Sequence, residues 1–109
     1  MNVRLYVWQR LTAAIIAPLV LVHIAVIFYA TRKGLSAADI LARTRGSVAW
    51  GLFYGLFVAA VAVHAPIGLR TVLAEWTSLR TRTCNVAAVA FGVILALLGW
   101  RAVAAVVLP

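Results

Sequence analysis

Three long apolar runs, separated by short polar stretches, dominate the pattern along the chain. The first two runs, 11–30 and 48–69, contain no charged residue, and the third, 84–106, is interrupted only by Arg101. A helix needs about 20 apolar residues to cross a bilayer core of about 30 Å. The pattern therefore predicts three transmembrane helices, which we call helices I, II and III, with Arg101 reaching outward to an interface.

The polar stretch between helices I and II carries helix-stop and helix-start signals. Gly34 is placed to end helix I. Ser36 and Asp39 have the spacing of a capping box, and Arg43 follows Asp39 by four residues, a weakly stabilising pair. These signals predict a short interfacial helix at about 37–42.

Composition supports a membrane location. Hydrophobic residues make up 66% of the 109 residues, whereas a soluble domain has roughly 45–50%. The excess must face lipid, and we read helix I as a retained helix rather than a cleaved signal segment. The expected fold is an all-α membrane protein, a single domain over 1–109 with three transmembrane helices and a short interfacial helix between the first two.

Charge narrows the class of partner but leaves the orientation open. The net charge of +8 comes from basic residues at the ends of the apolar runs, which favours anionic lipid headgroups and partner proteins over nucleic acid. The basic residues divide equally between the two sides: Arg4, Arg10, Arg70, Arg80 and Arg82 on one, and Arg32, Lys33, Arg43, Arg45 and Arg101 on the other. The single cysteine, Cys84, permits neither an internal disulfide nor a cysteine-based metal cluster.

Helix II carries a polar stripe around one of the two histidines. His64, Gly68, Thr71 and Glu75 share one face at helical spacing. A histidine inside a membrane helix is costly, and its neutral imidazole can bind haem iron. Gly68 leaves space beside it for a flat cofactor. A histidine that only hydrogen-bonds between helices remains an alternative at this point.

Other residues of helix II predict how it packs. Gly51 and Gly55 form a small-residue pair on the face opposite His64 and favour close contact with another helix. Pro66 removes a backbone hydrogen bond and is expected to bend the helix near His64.

His23 in helix I is a lesser candidate for haem ligation. It lies about 18 Å along helix I, whereas His64 lies about 8 Å from the corresponding end of helix II, at 1.5 Å per residue. This difference in depth is unfavourable for holding one haem between the two histidines, so a structural role for His23 is preferred.

Two motifs resemble a known family. "HAPIGLRTVLAEW", from His64 to Trp76, is similar to the haem-ligand segment of the membrane anchors of succinate dehydrogenase and fumarate reductase, respiratory complex II. "QRLTA", from Gln9 to Ala13, resembles the entry to the first helix of these anchors, although Gln9 replaces their usual histidine. The order of the motifs and the three-helix layout also fit.

The resemblance implies roles for individual residues. His64 would be an axial ligand of a b-type haem, and the haem iron would be the metal of the site. Arg70 would neutralise a haem propionate. The residues that would line a quinone site are Arg10, Glu75 and Trp76, the last two from the start of the connection between helices II and III. Tyr6 replaces a serine of some anchors and would take over its hydroxyl role at this site. Trp76 replaces a tyrosine of some relatives and can donate only through its ring N–H.

The function implied by the resemblance is that of an anchor subunit of succinate:quinone oxidoreductase in electron transport and the tricarboxylic acid cycle. The chain would dock an iron–sulfur subunit and a flavoprotein subunit, beside a second small anchor that supplies the other haem ligand. Electrons would pass between succinate or fumarate and ubiquinone or menaquinone. The chain has no nucleotide fingerprint and would catalyse nothing alone. The expected location is the bacterial inner membrane, with a cytoplasmic N-terminus.

Two other functions are considered. A small multidrug-type proton-coupled transporter has a similar length but needs a carboxylate inside a membrane helix. Asp39 and Glu75 both lie outside the apolar runs, which disfavours it. A haem-free structural anchor is the third possibility, and an absorption spectrum distinguishes it from the haem-binding anchor.

Overall fold

Three long helices and one short helix make up the computed structural model, which describes residues 2–109. They are α1 (Val3–Lys33), α2 (Ala37–Thr44), α3 (Val48–Trp76) and α4 (Thr81–Val107). The three long helices are long and apolar enough to cross a membrane. Together the helices measure 48 × 23 × 22 Å, and the long dimension matches a bilayer with its headgroup regions, about 40–45 Å. The predicted fold class is confirmed.

The spanning helices extend beyond the apolar runs. The helix predicted at 11–30 begins at Val3, where the Asn2 side chain accepts a hydrogen bond of 2.8 Å from the Arg4 N–H. The helix predicted at 48–69 continues to Trp76. Hydropathy marks the hydrocarbon core, whereas caps set where the backbone stops being helical. Glu75 and Trp76 therefore lie in the last turn of α3, not in the connection between α3 and α4 as predicted.

The caps around α2 form as predicted. Gly34 adopts a left-handed conformation (φ 63°) and its N–H donates to the carbonyls of Ala30 and Thr31. Ser36 Oγ accepts from the Asp39 N–H at 3.1 Å, while Asp39 Oδ2 accepts from the Ser36 N–H at 2.8 Å. The backbone and hydroxyl donors of Ser36 lower the pKa of Asp39 below its ordinary value. The interfacial helix runs slightly further than predicted, to Thr44.

α3 lies between α1 and α4 and packs on both, whereas α1 and α4 make little contact in the described chain. The predicted role of the glycine pair is confirmed on the α4 side. A Cβ added at Gly51 would lie 3.2 Å from Val107, and one at Gly55 would lie 3.4 Å from the Trp100 ring. One face of α3 thus packs on α4 while His64 faces α1.

Pro66 fits into a notch on α4. A Cβ added at Gly92 would lie 2.8 Å from Pro66 Cγ and 3.4 Å from the Ala62 carbonyl oxygen. The Ala62 carbonyl is the one that Pro66 deprives of its intrahelical donor. The missing side chain of Gly92 therefore lets α4 approach both the proline ring and the freed carbonyl.

Small residues fill the contacts between helices, and large apolar residues point outward. The buried apolar residues are Ala60, Cys84 and Ala88. By contrast, the side chains of Leu21 and Leu97 are 69% and 67% exposed. This distribution suits a protein whose outer surface contacts lipid, where close helix packing rather than hydrophobic burial holds the helices together.

Candidate functional site

His64 faces the first turns of α1. Its Nδ1 lies 3.2 Å from the Gln9 carbonyl oxygen and 3.3 Å from Thr12 Oγ1. The carbonyl can only accept a hydrogen bond. Thr12 donates its own proton to the carbonyl of Trp8 at 2.7 Å, which leaves its oxygen lone pairs to accept. Nδ1 is therefore the protonated nitrogen, and Nε2 carries the free lone pair.

Thr12 is the residue that sequence reasoning missed at this point. It is the most deeply buried residue of α1, only 4% exposed, because it lies against α3 at the level of His64. A hydroxyl at this position can donate a hydrogen bond to a carbonyl of its own helix and still accept one from a side chain of another helix. The sequence signal for this role was the position of Thr12 in the "QRLTA" motif, one helical turn after Trp8.

Gly68 serves contact between helices rather than clearance for a cofactor. A Cβ added at Gly68 would lie 3.3 Å from the Gln9 amide nitrogen Nε2. The space predicted beside His64 is thus filled by the side chain of Gln9. This corrects the prediction, and the reason is that the residue across from a glycine belongs to another helix and cannot be found from the periodicity of α3.

A cleft opens at the same level between α1 and α3. Its volume is about 340 Å³, and it is lined by Tyr6, Gln9, Arg10, Ala13 and His64. The Arg10 guanidinium carbon lies 5.3 Å from the centre of the Tyr6 ring. The structure therefore brings three of the residues predicted for ligand binding, Tyr6, Arg10 and His64, to one cleft. The volume is within the range of about 300–1,000 Å³ common for small-molecule sites.

Glu75 and Trp76 do not line this cleft. Both are exposed in the last turn of α3, and Trp76 is 82% exposed. Glu75 lies 11 residues beyond His64 on α3 (75 − 64), which is about 16 Å along the helix. Their assignment to the quinone site stays a prediction.

Arg70 points to the other side of α3. Its Nε donates a 2.6 Å hydrogen bond to Oδ1 of Asn85 on α4. The two residues border a second cleft of about 610 Å³ between α3 and α4, together with Pro66 and Gly92. Arg70 and His64 therefore do not share a cleft, as expected for residues six positions apart on a helix. Asn85 was not singled out from the sequence, although it and Arg101 are the strongly polar residues within the run 84–106.

His23 lies toward the α2 end of the molecule. Its ring makes edge contacts with Tyr54 and Phe57, with centroids 5.8 and 5.5 Å apart. Its Nδ1 is buried without a hydrogen-bond partner among residues 2–109. Thr12 lies at the level of His64. His23 is 11 residues further along α1 (23 − 12), which is about 16 Å along the helix axis. The structure does not bring the two histidines together.

The helices and the cleft define an integral membrane protein with a polar, ligand-sized site near one end of its spanning helices. A family described as the succinate dehydrogenase/fumarate reductase transmembrane subunit matches residues 1–106. The chain belongs to this family, which confirms the resemblance seen in its sequence, and is thus a membrane subunit of a complex that also has soluble subunits. Comparison with curated proteins and with solved structures gave no match.

Proposed function

We propose that this chain is a membrane anchor subunit of succinate:quinone oxidoreductase that binds a b-type haem through His64 and forms part of a quinone site with Tyr6 and Arg10. The observation that carries the proposal is the environment of His64 Nδ1, which faces two hydrogen-bond acceptors on α1. This arrangement fixes the tautomer in which Nε2 can bind iron. Metal-binding histidines usually have this kind of support from a carbonyl.

The residues present fit a haem in one further respect. α1 closes the Nδ1 side of His64, so Nε2 is the nitrogen that remains for iron. The role of Arg70 toward a haem propionate stays a prediction, because Arg70 is held by Asn85 in the cleft on the other side of α3. A b-type haem, when bound, supplies a one-electron carrier. A second small anchor subunit would supply the other ligand of the iron.

The cleft of Tyr6 and Arg10 suits the headgroup of a quinone. A quinone that accepts two electrons accumulates negative charge on its oxygens. Arg10 stabilises that charge, and the Tyr6 hydroxyl can donate a hydrogen bond to the same oxygen. Nearer the membrane surface, Glu75 provides a proton relay and Trp76 provides a ring N–H. Because neither residue lines the cleft, a neighbouring subunit or water must connect them to it.

The proposed partners are an iron–sulfur subunit, a flavoprotein subunit and the second anchor. The chain docks the soluble subunits at the bacterial inner membrane, with its N-terminus in the cytoplasm. Electrons pass between these subunits and ubiquinone or menaquinone, in the direction of succinate oxidation or fumarate reduction. Membership of the family removes the reason to consider a drug transporter, while the haem-free anchor is the alternative that an experiment must exclude.

The test is a reduced-minus-oxidised absorption spectrum of the purified complex. His64→Ala should abolish the b-type band, while the matched variant His23→Phe should retain it. Co-purification of the soluble subunits with both variants shows that the complex still assembles. Loss of the band in His23→Phe but not in His64→Ala would overturn the assignment, and absence of a b-type band from the unaltered complex would establish the haem-free anchor.

A further inference from the structure

An apolar groove runs along the α2 end of the molecule, away from the His64 cleft. Its volume is about 440 Å³. It is bordered on one side by α1, on another by α2, and at its base by Trp50 and Tyr54 of α3. Most of the side chains that line it are aliphatic: Val22, Ala25, Val26, Ile27, Ala30, Leu35 and Ile40.

One charged side chain, Arg43 of α2, lies at the edge of this groove. Its guanidinium carbon is 5.8 Å from the centre of the Tyr29 ring. The hydroxyl of Thr44, another residue of the lining, donates its proton to the Ile40 carbonyl and so is satisfied within α2. The groove therefore combines an aliphatic wall with one exposed cation at its border.

The surroundings of Arg43 carry an excess of positive charge. The segment from Arg32 to Arg45 contains four basic residues and one acid, Asp39. The Asp39 carboxylate already accepts hydrogen bonds from the Ser36 N–H and hydroxyl, each 2.8 Å long. One carboxylate engaged in this way leaves most of the positive charge uncompensated, so the region is complementary to an anion.

We propose that this groove is a binding site for an anionic phospholipid. The aliphatic wall takes part of an acyl chain, and Arg43 binds the headgroup phosphate at the level of α2. A phospholipid fits both parts of the groove because its charged headgroup is joined to its acyl chains. The groove likewise joins Arg43 to the aliphatic wall, at the depth where α1 ends and α2 begins. Neither the haem nor the quinone is involved, so this site is independent of the proposed function.

Native mass spectrometry of the whole complex tests the proposal. The complex is equilibrated with equal amounts of phosphatidylglycerol and phosphatidylcholine that have the same acyl chains, and the retained lipids are counted. The unaltered complex should retain phosphatidylglycerol preferentially. Arg43→Gln should reduce the preference about fivefold, the factor expected from one cation near an anionic headgroup. Arg45→Gln removes the same charge two residues away, outside the groove lining, and should leave the preference intact.

A second pair of variants tests the acyl-chain part. Ala25→Leu fills the groove and should reduce the number of retained lipids of both kinds. Ala14→Leu makes the same change on an exposed part of α1 outside the groove and should not. Equal effects of Arg43→Gln and Arg45→Gln would overturn the proposal, because they would indicate general charge attraction. It would also be overturned if Ala25→Leu left lipid retention unchanged, as when a helix of a partner subunit fills the groove.

Discussion

At the scale of the residue, the proposed haem ligand His64 is held by two hydrogen-bond acceptors on another helix. The Gln9 carbonyl and the Thr12 hydroxyl both accept from Nδ1, within 3.2 and 3.3 Å. Neither residue needs to touch the ligand to affect it, because hydrogen bonding to Nδ1–H makes the imidazole a stronger electron donor at Nε2. The effect of such support is measurable without loss of the ligand.

Under the proposed function, Thr12→Val should raise the haem potential without loss of the haem. Valine has nearly the same shape but cannot accept a hydrogen bond, and the Gln9 carbonyl remains to fix the tautomer. Loss of one net hydrogen bond, about 0.5–1 kcal/mol, corresponds to an increase of roughly 20–40 mV in a one-electron potential. A spectroscopic redox titration of the complex measures it.

Thr71→Val is the control for this experiment. Thr71 lies on the same face of α3 as His64, but its hydroxyl donates to the Ile67 carbonyl of its own helix. Its variant should leave the potential unchanged. An unchanged potential in Thr12→Val would show that the hydroxyl does not support the ligand.

Arg10→Gln should impair quinone turnover without loss of the haem band. The lost charge–quinone interaction is expected to reduce kcat/KM for quinone by about tenfold, the low end of a charged hydrogen bond because Arg10 is exposed. Steady-state quinone reduction by the complex measures this. Arg4→Gln removes an exposed arginine that does not line the cleft and should retain full activity. A similar loss in both variants would contradict a specific role for Arg10.

At the scale of the element, the sequence predicted all four helices but fewer of the contacts between them. The apolar runs located the three spans, and the Ser36–Asp39 spacing located α2. The helix ends were missed at Val3 and Trp76 because hydropathy reports the membrane core and not the backbone hydrogen bonds. Periodicity also placed His64 and Gly68 on one face, but the residues across from them, Thr12 and Gln9, belong to another helix.

The capping box of α2 gives a prediction for pH dependence. Because the pKa of Asp39 is lowered in the folded chain, its stabilisation of α2 is complete above the unfolded pKa of about 3.9. It is lost as the pH falls through the lower folded value. A ¹³C NMR titration of the Asp39 carboxyl should give a midpoint below the ordinary value, and Ser36→Ala should raise it. A midpoint insensitive to Ser36→Ala would contradict the box.

The contact between α3 and α4 should not tolerate a side chain at Gly92. A Cβ there lies 2.8 Å from the rigid Pro66 ring, so Gly92→Leu is expected to lower the free energy of unfolding by about 1–3 kcal/mol, as for an overpacked core. Denaturant titration of the detergent-solubilised complex measures it. Ala90→Leu places the same side chain on an exposed position of α4 and should be nearly neutral. Equal stability of the two variants would exclude a tight contact at Gly92.

At the scale of the whole molecule, three spanning helices place the two connections between them on opposite sides of the membrane. The connection 77–80 is on the side of the N-terminus, and α2 is on the other side. Ser78→Cys and Ala38→Cys should therefore react with a membrane-impermeant maleimide from opposite sides, with 78 reactive from the cytoplasm under the proposed orientation. Cys84 is only 1% exposed and should contribute little background. Labelling of both from one side would contradict the topology.

The position of α3 between α1 and α4 has a consequence for how such a protein can diversify. The ligand cleft lies along the contact of α3 with α1, and the tightest glycine contacts lie along its contact with α4. The outer helices α1 and α4 make little contact with each other. The effects of substitutions in the two contacts of α3 on the free energy of unfolding should therefore be nearly additive. Under the proposed function, substitutions along the contact of α1 with α3 can therefore change the proposed ligand cleft while the contact of α3 with α4 is kept.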